Sequence, residues 1–227
     1  MKEPDIFGII QSLDAFFPTG AFTQSFGIED YVLTDKITSP ESLEDFLKSY
    51  ISLLPYQDLG LCSLAYDSYD NIEEILKLDA IGYSIKDAIE IREASTKMNK
   101  RFLKLHEEMD DIDYFTSKYI SKINQGKAYG LHPITLGLLG AAKNFPKEKL
   151  LTLYIYNCCS SIVNNTVKLV PLSQMVGQKI LYKSGTLMEK AVYQALNVSI
   201  NEIGISGCAY TIHCMNHEKL YSRQYMS

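Results

Sequence analysis

The stretch KLLTLYIYNCCSSIVNNTVKLV, residues 149–170, decides the fold class of this chain. Drawn as a helix, it carries apolar side chains on nearly every side: Leu150, Leu153, Ile155, Cys158, Ile162 and Val167. A helix that is apolar all round has to be covered on all sides, which is typical of the centre of a helical bundle. Pro171 is expected to end this helix, and Ser173 is placed to cap the next one.

Helical periodicity also dominates the rest of the chain. A first stripe predicts a helix that ends near Phe17, before Pro18: Ile6, Ile9, Ile10 and Leu13. Ser39-Pro40 predicts a helix start, with Pro55 at the end of that helix. Another stripe predicts a helix from about Ser84: Ala88, Ile91, Ser95, Met98, Phe102 and Leu105. Further helices are predicted over 114–123, after His132-Pro133 and over 186–196.

Strand signals are few, so the sequence predicts an all-α fold. We expect a single domain over residues 1–227, built as a bundle of about eight to ten helices of ordinary length.

The composition limits the functional class. The 227 residues include 22 Lys and Arg against 27 Asp and Glu, a formal net charge of -5. This balance is unlike that of a nucleic-acid-binding protein, and no uncharged apolar run reaches the ~18 residues of a membrane span. The N-terminus lacks the features of a signal peptide, and the five cysteines show no C-x-x-C spacing. We therefore expect a cytoplasmic protein that binds neither nucleic acid nor membrane.

Motifs of the common catalytic classes are absent. The sequence contains no phosphate-binding loop, no dinucleotide fingerprint, no H-E-x-x-H and no G-x-S-x-G. We therefore expect neither an enzyme nor a cofactor.

One cluster could bind a metal. On a helix, His213 and His217 would share a face, with Cys214 nearby, and these types chelate divalent ions. The same residues are also explained as polar groups at the edge of a terminal helix, satisfied by hydrogen bonds. We favour the second interpretation and expect no metal site. A helical metal-binding protein or metalloenzyme using these three residues is the alternative function.

Other polar residues have simpler interpretations. Cys158 and Cys159 are expected to be small hydrophobes of the core. Asn164, Asn165 and Thr166 face either a polar interface or cavity, or the solvent at the end of their helix, and the sequence leaves this open. The acids around the Pro18-Thr19-Gly20 turn are interpreted as solvated or helix-capping groups: Asp14, Glu29 and Asp30.

Three stretches together resemble the UreF family of urease accessory proteins. QSLDAFFPTGAFTQSFGIED, residues 11–30, resembles the family's N-terminal motif at Pro18, Gly20, Phe22, Ser25, Gly27 and Glu29. Arg92-Glu93, and later His132-Pro133 with Gly137, resemble its central motifs. KLVPLSQMVGQKIL, residues 168–181, resembles L-x-P-L-G-Q-x-x-G-Q, and the closing MNHEKLYSRQYMS resembles M-x-H-E followed by S-R. Ser173 replaces the family's usual Gly, and Lys168 its usual Arg.

The resemblance implies a non-catalytic homodimer that binds the accessory protein UreD (also called UreH) and the GTPase UreG. Together they would dock on apo-urease and insert nickel. It also implies partner-binding residues in the N-terminal motif and in a tail from about residue 215. The remaining partner-binding candidates are Pro171, Gln174, Gly177, Gln178, His217, Glu218, Tyr221 and Arg223. Tyr and Arg often dominate the energy of interfaces, which agrees with a binding tail.

Overall fold

The computed structural model describes residues 5–14, 16–109 and 111–226, without the side chain of Phe22. Its α-helices are α1 Ile6–Ser12, α2 Ile28–Leu33, α3 Pro40–Leu53, α4 Asp58–Asp67, α5 Ile72–Ser84, α6 Ile89–Glu108, α7 Tyr114–Asn124, α8 His132–Ala142, α9 Lys147–Leu169, α10 Gln174–Lys183, α11 Gly185–Leu196 and α12 Cys208–Asn216. Short 3-10 turns lie at Ala21–Thr23, Leu54–Tyr56, Ile200–Glu202 and His217–Lys219. These residues contain no strand, so the all-α prediction is confirmed. Ten of the helices have nine residues or more, in agreement with the expected eight to ten.

Helix α9 lies at the centre of the bundle, as its apolar sequence predicts. It packs against α2, α3, α4, α8, α10 and α11. Ten of its side chains are buried, including Tyr154, Cys159 and Asn165. The largest core cluster gathers around this helix, while Thr152 and Tyr156 remain exposed on one side of it.

A second, smaller core lies where α4 crosses α8. Gly137 has no room for a side chain, since a Cβ there would lie 2.5 Å from the carbonyl oxygen of Cys62. The backbones of the two helices therefore approach closely. Asp79 of α5 lies beside this core and accepts hydrogen bonds from the Tyr119 hydroxyl and from the backbone N–H groups of residues 129–131.

Most predicted helix boundaries agree with the structure, and two differ. Helix α1 ends at Ser12 instead of near Phe17, and the chain turns at Leu13. Its stripe is not a core face, because Ile6 and Ile10 are about half exposed and Ile9 alone is fully buried. Helix α6 begins at Ile89, while Ser84 is the last residue of α5. Among the described residues, no helix is long and apolar enough to cross a membrane.

Candidate partner-binding site

Two tight turns shape the N-terminal motif. Gly20 and Gly27 have φ angles of 85° and 82°, in the left-handed region that favours glycine. A Cβ on Gly27 would lie 2.7 Å from the Cys214 sulfur, and a Cβ on Gly20 would collide with the Arg101 guanidinium. Glycine at these positions therefore lets α12 and α6 pack directly on the motif backbone.

Glu29 lies at the centre of the site. It is 2 % exposed, and its Oε2 atom lies 3.0 Å from Nε2 of His217. The backbone N–H groups of Gln224 and Tyr225 donate to the same carboxylate, at 2.7 and 3.2 Å. One carboxylate of the N-terminal motif therefore holds the C-terminal tail at two points.

His217 lies between two carboxylates. It is fully buried, and its Nδ1 atom lies 2.7 Å from Oε2 of Glu90 on α6. Arg223 donates to the other oxygen of Glu90 at 2.7 Å. The His217 ring therefore bridges the two carboxylates, and Arg223 gives Glu90 a second partner. We call Glu29, Glu90, His217 and Arg223 the tail clamp. Removing one member of such a buried network leaves an uncompensated charge.

Helix α12 and the last tail residues extend this contact. Nδ1 of His213 lies 2.5 Å from Oδ2 of Asp30, and the His213 ring lies on the Tyr31 ring with centroids 3.7 Å apart. Burial raises the pKa of Tyr31 to about 12. The Met226 N–H donates to the Thr23 carbonyl at 2.8 Å. Helix α12 and the tail therefore contact the second half of the N-terminal motif, from Thr23 to Asp30.

The metal candidates do not converge on one point. His213 faces Asp30, and His217 faces Glu29 and Glu90. The Cys214 thiol donates to the Phe26 carbonyl, and burial raises its pKa to about 12. Within the described ranges, no group of three or more His, Cys, Asp or Glu side chains is placed to hold a metal ion. The three side chains are hydrogen-bonded to separate partners, and the absence of a metal site stays a prediction.

Comparison with known proteins identifies the same family that the sequence motifs resemble. The UreF family profile matches residues 37–185. The chain is 34% identical over 222 residues to urease accessory protein UreF of Actinobacillus pleuropneumoniae serotype 5b (strain L20), covering 96% of this chain and 97% of that protein. This chain belongs to the UreF family. It is also 31% identical to the UreF proteins of Lachnoclostridium phytofermentans (98% of each chain covered) and Haemophilus influenzae strain Rd (98% of this chain, 96% of that protein).

The UreF motif residues divide into buried and exposed sets. Ser25, Glu29 and His217 are buried and Gly20, Gly27 and Gly177 make close contacts, so none of these six offers a free side chain to a partner. The candidates on the surface are Pro18, Pro171, Gln174, Gln178, Glu218, Tyr221 and Arg223. Tyr221 is fully exposed. The side chain of Phe22 lies outside the described part of the chain. Partner binding by all these residues stays a prediction.

The interpretation of Glu29 and Asp30 as solvated acids is wrong, because both are buried against His217 and His213. Both lie in the first turn of α2, the helix-terminal position that the alternative interpretation gave them. Asp14 is exposed and caps the Phe16 N–H, as expected.

In the central UreF motif, Arg92 and Glu93 stay outside the clamp. Arg92 lies over the Tyr83 ring, and Glu93 pairs with Lys97 at the surface. Glu90, one turn earlier, is the residue that joins the clamp, and the sequence analysis missed it.

A cavity of about 650 Å³ lies between the N-terminal motif, α6, α9 and α12. Asn164 and Asn165 line it, and Asn165 donates to the Gln24 carbonyl at 2.8 Å. Of the two alternatives left open by the sequence, these amides therefore face a cavity and not the solvent at the end of their helix. Cys158 also lines it, whereas Cys159 is core. His132 lies in its wall, and burial lowers the pKa of His132 to about 4.

Ser12, His106 and Asp111 have the arrangement of a catalytic triad. Nε2 of His106 lies 3.2 Å from the Ser12 hydroxyl, and Nδ1 lies 2.9 Å from Asp111. However, Ser12 donates to the Gly8 carbonyl at 2.6 Å, and Lys143 lies 2.6 Å from Asp111. The serine proton is directed to a backbone carbonyl, so we interpret the group as an anchor of α1 rather than a nucleophile.

Proposed function

We propose that this chain is a non-catalytic scaffold of urease maturation in the cytoplasm. It binds UreD and the GTPase UreG as a homodimer, and the assembly docks on apo-urease to insert nickel. Membership of the UreF family supports a role in urease maturation. The identities of the partners (UreD, UreG and apo-urease) are inferred from the resemblance of the motifs.

The observation that carries this proposal is the docked tail. The tail clamp fixes residues 217–226 against the N-terminal motif, so a partner meets an ordered surface instead of a loose terminus. Ordering before binding reduces the entropy lost on association. Tyr221 and Glu218 are exposed and can contact a partner.

The scaffold role divides the motif residues into two tasks. Glu29, Glu90 and His217 position the tail from inside the fold. Tyr221, Glu218 and the exposed side of Arg223 contact the partner. Because the chain has no phosphate-binding loop, GTP hydrolysis is assigned to UreG.

A pull-down with the cognate UreD and UreG, with and without GTP and nickel, tests the proposal. Tyr221→Ala is the informative variant, since the Tyr221 side chain is fully exposed and makes no hydrogen bond or ring contact with the described residues, so the fold should not change. We expect it to weaken complex formation at least tenfold, as for an interface anchor. Tyr114→Ala is the matched control, because Tyr114 is also highly exposed, at 78 %, but lies on α7.

Removing residues 220–227 is the stronger change. We expect the helical core to stay folded by circular dichroism while urease activation is lost. If the intact chain fails to retain either partner, the proposed function is wrong. GTP hydrolysis by the purified chain alone would also contradict it.

A further inference from the structure

Helix α7 covers one side of the second core. It packs against α5 and α8, and its buried side chains are Phe115, Thr116 and Tyr119. Its outer side includes Tyr114, which is 78 % exposed, and the exposed Lys118. The tail clamp, by contrast, joins α2, α6 and the C-terminal tail. The outer side of α7 therefore takes no part in docking the tail.

The sequence of α7 and α8 contains no acid. From residue 114 to residue 147 the chain carries five lysines and no Asp or Glu, although its formal net charge is -5. Two of these lysines, Lys143 and Lys147, form ion pairs with acids from other segments. Within the described residues, the other three form no ion pair: Lys118, Lys122 and Lys127. We call these three lysines the basic face.

The lysines of the basic face follow one another along α7 and past its end. Lys118 and Lys122 are four residues apart, so they are neighbours on one side of the helix. The backbone N–H of Lys127 donates to the Lys122 carbonyl at 2.9 Å, which keeps Lys127 beside the last turn. Nζ of Lys118 lies 4.5 Å from the centroid of the Tyr114 ring, a cation–π contact that holds the Lys118 side chain along the helix.

Helix α5 runs beside α7 in the same direction. Three contacts follow the same order along both segments: Tyr69 with Asp113, Asp79 with Tyr119, and Tyr83 with Tyr129. Glu73 and Glu74, in the first turn of α5, therefore lie at the level of the start of α7. Residues 80–85, at the other end of α5, carry no charge. The acids of α5 therefore adjoin the start of the basic face and leave its end positive.

One more cation lies near that end. The Arg92 guanidinium lies 5.2 Å from the centroid of the Tyr83 ring, on which Tyr129 stacks with ring centroids 3.6 Å apart. The next acid beyond α5 is Asp87, which belongs to the turn before α6. Tyr129 itself is 50 % exposed.

An acidic segment of a protein fits this surface better than a long polyanion does. A local group of unpaired lysines attracts carboxylates within a Debye length, while the negative net charge of the whole chain repels nucleic acid and anionic membranes. Exposed tyrosines lie at both ends of the basic face, at Tyr114 and Tyr129, and tyrosine is enriched in protein interfaces.

We infer that the basic face of α7 docks an acidic segment of a partner protein. This docking goes beyond the proposed function, which places UreD and UreG at the tail, and it does not depend on that function.

Fluorescence anisotropy on the purified intact chain tests the inference. The probe is a fluorescein-labelled peptide of alternating Glu and Ala, and a peptide of alternating Gln and Ala is its uncharged counterpart. One variant carries Lys118→Glu, Lys122→Glu and Lys127→Glu. The matched control carries three substitutions at exposed positions on other helices: Lys149→Glu, Lys179→Glu and Lys190→Glu.

Both variants change the net charge by the same amount, so a difference between them reports position. At physiological salt, the variant of the basic face should bind the Glu peptide at least about tenfold more weakly than the wild type, and the control less than about threefold more weakly. Tyr114→Ala should weaken binding about two- to fivefold, because it removes the ring that holds Lys118 in place. Circular dichroism first shows that each variant keeps the wild-type helix content.

Four results would overturn the inference. Two are equal binding of the Glu peptide by the basic-face variant and the control, and a wild type that does not prefer the Glu peptide to the Gln peptide. Tighter binding of oligothymidylate or of phosphatidylglycerol vesicles than of the Glu peptide would assign the face to a phosphate-bearing ligand. A basic-face variant that no longer retains UreD or UreG in the pull-down would show that the face belongs to those partners and is no separate docking surface.

Discussion

Glu29 and His217 lie 188 positions apart in the sequence, and their side chains meet at 3.0 Å inside the protein. The contact joins the first family motif to the last. It is completed by Glu90 on the far side of the imidazole, so three distant segments depend on one buried ring.

Replacing Glu29 with Gln should release the tail. The amide has one acceptor oxygen, while His217 and two backbone N–H groups need acceptors there. We expect the free energy of unfolding to fall by about 3 kcal/mol, the cost of removing one partner from a buried charge network. Chemical denaturation measures the change, and limited proteolysis should cut the tail sooner. The matched control is Glu218→Gln, at an exposed position, which should change neither result.

Gly177 should not tolerate even a methyl group. A Cβ there would lie 2.9 Å from both Val163 and Val167 of α9. Gly177→Ala should therefore cost about 1–3 kcal/mol of stability through overpacking. Gly185→Ala is the control, because nothing lies within 4 Å of its Cβ position. That variant should be neutral, or more stable by up to ~1 kcal/mol. Equal losses in the two thermal melts would contradict this packing explanation.

The stability of the protein should fall in mild acid. Burial lowers the pKa of His132 from about 6.5 in the unfolded chain to about 4 in the fold. Because the pKa of His132 is lower in the fold than in the unfolded chain, its contribution to the free energy of unfolding is fully present above pH 6.5. This contribution is lost as the pH falls toward 4. The loss should approach ~1.4 kcal/mol per pH unit.

His132→Phe should reduce this slope in denaturation curves measured between pH 7 and 4. The reduction should be partial, because burial also lowers the pKa of His106. Tyr154→Phe also alters the cavity wall but removes no group that titrates in this range, so its slope should match the wild type. An unchanged slope for His132→Phe would show that this histidine is not the cause.

Asp79 should be essential to the start of α8. It is fully buried and binds the Tyr119 hydroxyl at 2.6 Å, as well as three successive backbone N–H groups. In Asp79→Asn, an amide NH₂ group replaces one of the accepting oxygens and faces groups that themselves donate. The free energy of unfolding should therefore fall by about 2 kcal/mol. Hydrogen exchange of the amides at 129–131 should speed up. Asp67→Asn, which removes the more exposed partner of a pair with Lys147, should lower the free energy of unfolding by less than ~1 kcal/mol.

The sequence predicts most of the helices because their signals are local. The all-round apolar pattern of α9 and the Ser39-Pro40 start of α3 need no tertiary information. Helices α4 and α5 were missed for a related reason. Helix α4 is only ten residues long and buries several sides, so no single stripe marks it. Helix α5 places Asp79 and Gly82 on its buried face, which interrupts its stripe.

The candidate site is less predictable because its contacts are long-range. The motifs pointed to Glu29, His217 and Arg223 separately, but no spacing indicates that they meet. Glu90 carries no signal beyond its place near Arg92-Glu93. The positioning role of Glu29 follows from its burial, and burial is a property of the assembled fold.

The distribution of the cysteines has a practical consequence. Cys208 is the exposed one of the five, at the start of α12, while burial raises the pKa values of Cys62, Cys158, Cys159 and Cys214. A thiol held in its protonated form reacts slowly with maleimides, so the unaltered chain should accept a fluorophore at a single position. That position lies on the helix that leads into the tail. Fluorescence of a label at Cys208 would report undocking of the tail in real time, with no engineered cysteine.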